Sequence, residues 1–152
     1  MIKYAIRQWN NNKELLENAL REMQSSNKLP IDYEELLKLV IQKVLNVNSD
    51  YTWSENITII DDGDYQGSAL FAIHLDAYQP SPEDYLLTFI YYGSCGGCDA
   101  LLGAYGNANK ESQIQDYMAI CKDLVCNIVV PFNYGWRKNP DFEQIWRINC
   151  AY

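Results

Sequence analysis

A chain of 152 residues, 48% of them apolar and 12 of them tyrosine, is too hydrophobic for a disordered segment and long enough to bury a core. One globular domain over residues 1–152 is therefore expected. Its net charge of −8 offers no basic face to a phosphate backbone, which argues against a nucleic-acid partner and for solubility and steering toward a basic one. The opening Met-Ile-Lys-Tyr-Ala-Ile-Arg-Gln-Trp lacks the apolar region of a signal peptide, and no apolar stretch approaches the roughly 20 residues that span a bilayer. The expected setting is a cytoplasm, away from membranes, where five cysteines, an odd number, stay mostly reduced.

In chain order, the first helix is predicted over residues 12–24, where Leu15, Leu16, Ala19, Leu20 and Met23 form one stripe and Asn11 with Glu14 makes a capping pair. A second helix starts at Asp32, its N-cap, with Glu35 three residues on and Ile31 placed to staple onto Leu36. Its buried face is Leu36, Leu37, Val40, Ile41, Val44 and Leu45. The two helices read as a hairpin, joined through residues 25–29, that covers a sheet. Residues 57–60 form a β-branched strand, and Asp61-Asp62-Gly63-Asp64 is turn chemistry. Residues 68–75 alternate, with Ala69, Phe71, Ile73 and Leu75 on one face and Leu70, Ala72 and His74 on the other, so the pair should be an antiparallel hairpin. After Gln79-Pro80-Ser81-Pro82, residues 85–92 are apolar on both faces and read as a central strand. A short helical turn over 100–105 stops at Gly106, and a longer helix follows over 111–127, with Ile114, Tyr117, Met118, Cys121, Leu124, Val125 and Ile128 on one face. Pro131 ends it, and a strand near 143–149 closes the order. The expected class is α+β, an N-terminal helical hairpin on a small antiparallel sheet with a further helix in the C-terminal half.

Tyr91-Tyr92-Gly93-Ser94-Cys95-Gly96-Gly97-Cys98-Asp99 carries the densest chemistry. Two thiols three residues apart chelate a metal as thiolates or close a small disulfide ring. Two thiolates are half of a structural zinc site, and the remaining candidates, Cys121, Cys126, Cys150, His74 and Asp99, supply no second close pair. A strand feeding C-x-x-C before a helical turn is also the arrangement of thioredoxin-like redox centres, although the order of elements differs and Ser94 stands where an aromatic residue is usual. At least one of Gly93, Gly96 and Gly97 is expected to adopt positive φ. His74 stands alone without a Ser/His/Asp constellation, and Asp61, Asp62 and Asp64 lack the twelve-residue calcium loop. Trp53, Tyr78, Tyr105, Tyr134 and Trp136 are of the kind enriched in protein-binding hot spots, with ordinary packing as the simpler explanation for most.

Asp64-Tyr65-Gln66-Gly67, followed by Tyr92-Gly93-Ser94-Cys95-Gly96-Gly97-Cys98-Asp99, resembles a family of small proteins encoded by bacteriophages of Gram-positive bacteria. The resemblance runs over residues 64–118 and carries no established activity, so it transfers no catalytic role. It implies a phage product acting in the bacterial cytoplasm, of a kind that binds and disables a host protein such as a defence enzyme. The expectation is thus a non-enzymatic protein binder, with Tyr65, Gln66, Gly67, Tyr92, Ser94, Cys95, Cys98 and Asp99 as binding residues and no cofactor. The alternative is a zinc or thiol-redox protein centred on Cys95 and Cys98.

Overall fold

The computed structural model describes residues 2–130, and the element order is α-α-β-β-β-α-α. Helix α1 is Ile2–Ser25, α2 is Tyr33–Val40, and a π-helical turn, Ile41–Leu45, prolongs α2. The sheet holds β1 (Thr58–Asp61), β2 (Gly67–His74) and β3 (Tyr85–Tyr92), in the order β1-β2-β3 and antiparallel throughout. The short helix α3 (Ala100–Tyr105) and the longer α4 (Lys110–Cys126) follow. The fold is α+β, as the pattern of periods predicts. The expected strand near 143–149, the stop at Pro131 and the side chains of Tyr134, Trp136 and Cys150 lie outside the described residues.

Helix α1 begins ten residues earlier than its leucine stripe suggests. Asn10-Asn11-Asn12 has poor helix propensity and reads as a start. The helix runs through it because Tyr4, Ala5 and Trp9 pack in the core while Gln8 and Asn12 are buried for their hydrogen bonds. The Gln8 amide donates to the carbonyls of Val44 (3.3 Å), Leu45 (3.2 Å) and Val47 (2.8 Å), and that of Asn12 to Val44 at 3.1 Å. These are the orphan carbonyls at the end of α2, which no further helical turn satisfies. Asn11 and Glu14 consequently sit inside the helix rather than capping it, and Leu15 is exposed.

The start of α2 matches its sequence signature. The Asp32 side chain accepts from the Glu35 amide at 2.8 Å, and the Glu35 carboxylate accepts from the Ile31 amide at 3.3 Å. Ile31, expected to staple onto Leu36, remains 62% exposed. Leu36, Leu37, Val40, Ile41, Val44 and Leu45 are all buried and share one core with Leu16, Leu20, Phe71, Ile73, Leu86, Ile90, Ile114, Tyr117 and Leu124. Arg21 links α1 to α4 through Glu111 (2.8 Å).

One strand expectation is corrected: among the described residues the central strand is β2, not β3, and every residue of β1 is exposed. Beyond β3 the described residues make one bridge, Leu87 to Val129, through two backbone hydrogen bonds of 2.8 and 2.7 Å. Trp53, one of the aromatics of hot-spot type, is buried. Both its backbone groups are held by the Asn46 side chain, at 2.7 and 2.9 Å.

Candidate functional site at one end of the sheet

Pairing of β2 with β3 sets Gly67 opposite Tyr92 and Ser68 opposite Tyr91, which brings the two sequence motifs to the same end of the sheet. The Tyr92 hydroxyl bonds the Asp61 carboxylate at 2.5 Å and the Gly63 carbonyl at 2.9 Å. The hydrogen bond to Asp61, then partial burial and the neighbouring acids, push the Tyr92 phenol up to about 12, and the same bond holds the Asp61 carboxyl below its ordinary range. Asp62 accepts from the Ser68 amide at 2.6 Å. Both carboxylates thus organise the loop that follows β1. That loop folds closely on itself, since a Cβ at Gly63 would lie 2.2 Å from the Gln66 carbonyl oxygen and one at Gly67 would lie 2.8 Å from Gly63 Cα. The side chains of Tyr65 and Gln66 are left in solvent.

The cysteine turn leaves β3 on the other side of the same end. The Cys95 carbonyl accepts from the amides of Cys98 (2.9 Å) and Asp99 (2.8 Å), and the Cys95 amide donates to Cys98 Sγ at 2.9 Å. Cys95 and Cys98 are free thiols and exposed, as is Ser94. Hydrogen bonding, first with the Cys95 side chain and then with its backbone and with Ser94, lowers the Cys98 thiol below the usual range. Cys121 is fully buried and its thiol is raised by that burial.

No glycine of the turn has positive φ, which corrects the expectation for Gly93, Gly96 and Gly97. Close contact instead requires glycine at Gly93 in the turn and at Gly103 in α3. A Cβ on Gly93 would lie 2.5 Å from the Cys98 carbonyl oxygen and 2.7 Å from its Sγ. The Gly96 carbonyl oxygen sits 2.6 Å from where a Cβ on Gly103 would be, so the turn lies directly against α3.

Asp99 is the hub of this end. It is buried, caps α3 by accepting from the Leu102 amide at 2.9 Å, and accepts from the Gly93 amide at 3.1 Å and the Tyr33 hydroxyl at 3.0 Å. Tyr33 in turn accepts from the Leu101 amide at 3.2 Å, and its phenol is raised mainly by burial. Sequence reasoning named Asp99 as a binding residue; its oxygens are engaged in structural bonds, and the partner it missed is Tyr33. The available signal was position, because Tyr33, Leu37 and Val40 share one face of α2.

Beside these turns the outer face of the sheet is apolar. Ile60, Leu70, Phe89 and Tyr91, with Asp62 and Ser68, line a shallow hollow of about 350 Å³. Ile60 is 60% and Tyr91 72% exposed, and the Phe89 and Tyr91 rings meet edge to face at 5.6 Å. Sequence reasoning missed Ile60, Phe89 and Tyr91 because apolar residues on both faces of a strand ordinarily mean burial on both sides. Among the described residues no group of three or more His, Cys, Asp or Glu side chains is placed to hold a metal ion. No described helix is long and apolar enough to cross a membrane. No protein-family model, curated protein or solved structure matches this chain.

Proposed function

We propose that this chain is a non-enzymatic, phage-type protein of the bacterial cytoplasm that binds a host protein and modulates or inhibits it, as an anti-defence factor would. The observation that carries the reading is the exposed apolar face of the sheet around Ile60, Leu70, Phe89 and Tyr91. A contiguous apolar surface that includes an exposed tyrosine and has polar residues at its edge is the anatomy of a protein-binding patch. Asp62 lies at its edge, on a chain of net charge −8, so the complementary partner presents an apolar contact flanked by basic residues. The Tyr65 and Gln66 side chains project from the adjoining loop, where they reach the rim of such a partner.

The test is affinity capture from a lysate of a Gram-positive bacterium, with the immobilised parent compared with Ile60→Ser/Tyr91→Ser and with Tyr78→Ser, which changes an almost fully exposed tyrosine elsewhere. A protein retained by the parent and by Tyr78→Ser but lost by the double variant is the expected result. Equal capture by all three would remove the sheet face from the proposal.

A further inference from the structure

The cysteine turn carries chemistry that host binding does not use. We propose that Cys95 and Cys98 form a reversible intramolecular disulfide, with Cys98 as the attacking thiol and a small-molecule disulfide as the oxidant. The turn is already closed to the required span. The hydrogen bond from the Cys98 amide to the Cys95 carbonyl makes residues 95–98 a β-turn, whose end Cα atoms are within about 7 Å, and a disulfide needs roughly 4.4–6.8 Å. The Cys95 amide points at Cys98 Sγ, so that sulfur is folded back over the residue it would join. Cys95 Sγ lies 4.0 Å from where a Cβ on Gly97 would be, which puts it over the same turn. Both thiols are exposed, as attack on a solution disulfide requires. Gly93 and Asp99 pin the backbone on either side, so ring closure asks for side-chain rotation while the turn stays in place.

The roles follow from the hydrogen bonds. Cys98 Sγ accepts the Cys95 amide at 2.9 Å while its own S–H is directed at the Cys95 carbonyl at 3.2 Å. An amide donor stabilises the thiolate, and the thiolate is the nucleophile. Cys98 S⁻ attacks one sulfur of a disulfide RSSR, forming Cys98–S–S–R and releasing RS⁻. Cys95 gives its proton to solvent and attacks the Cys98 sulfur, which closes the ring and expels the second RS⁻. The two cysteines lose two electrons and two protons in all, and RSSR becomes two RSH.

The experiment treats the full chain with glutathione disulfide and follows intact mass and peptide linkage. The parent should lose two hydrogens with Cys95 joined to Cys98, while the buried Cys121 stays unmodified. Cys95→Ser should stop at a glutathione adduct on Cys98, formed about tenfold faster than the adduct on Cys95 in Cys98→Ser. In the untouched parent, the pH midpoint of alkylation should be lower at Cys98 than at Cys95, a measurement that needs no variant to fold. Equal rates at the two thiols, faster attack at Cys95, or zinc found bound to the pair in the purified protein would each overturn the proposal.

Discussion

Gly93 and Gly97 stand four residues apart in one turn, yet they answer to different constraints. A methyl group at Gly93 collides with the backbone and sulfur of Cys98, whereas one at Gly97 meets only Cys95 Sγ at 4.0 Å, an ordinary contact. Gly93→Ala should therefore cost about 1–3 kcal/mol, as overpacking does. Gly97→Ala should be close to neutral or gain a few tenths of a kcal/mol by stiffening the unfolded chain. Thermal melts of the two variants check this, and equal losses would mean that close approach is not what selects glycine here. Tyr92 makes the corresponding electrostatic prediction. Its phenol is raised from near 10 to about 12, so its stabilising bond to Asp61 is fully present below about pH 10 and is lost as pH rises through about 12. Tyr92→Phe should flatten the alkaline limb of the stability profile, and an unchanged limb would mean that this bond does not form in solution.

Among the elements, α2 and the π-helical turn that prolongs it bury Leu36, Leu37, Val40, Ile41, Val44 and Leu45. Ile41 is fully buried where α2 passes into its π-helical turn, and it shares the core with Phe71 and Ile73 of the sheet. Ile41→Ala should cost about 2–5 kcal/mol in chemical denaturation; a variant that unfolds like the parent would show that this helix does not cover the sheet. The start of α2, the first hairpin, α3 with its stop at Gly106, and α4 were legible because each is written locally, in a cap, a turn or a period. What escaped the sequence was decided by partners far along the chain. The first turns of α1 are helical because Gln8 and Asn12 satisfy carbonyls at the end of α2. No local pattern over residues 2–11 announces that. β3 was misplaced for the opposite reason: its pattern was clear, but the apolar outer side it described is exposed at Tyr91 rather than covered. The candidate site was legible as two motifs and not as one place, since only the pairing of Gly67 with Tyr92 joins them.

For the molecule as a whole, the helices lie on one side of a three-stranded sheet and share its core, and the other side holds the apolar hollow. A face of that kind is kept for contact. Oxidation at Cys95 and Cys98 is a separate property, and Cys95→Ser/Cys98→Ser should fold and bind as the parent does, because neither thiol lines the hollow. Hydrogen exchange is the most direct test of the binding surface, since among the described residues β1 is an edge strand and its four residues are all exposed. Exchange would be followed on this chain, alone and with the captured host protein. The account predicts slowed exchange in β1, in the loop 62–66 and in the outer half of β3, with α1 unchanged. Protection confined to the helices, with β1 exchanging as fast as in the free protein, would contradict it.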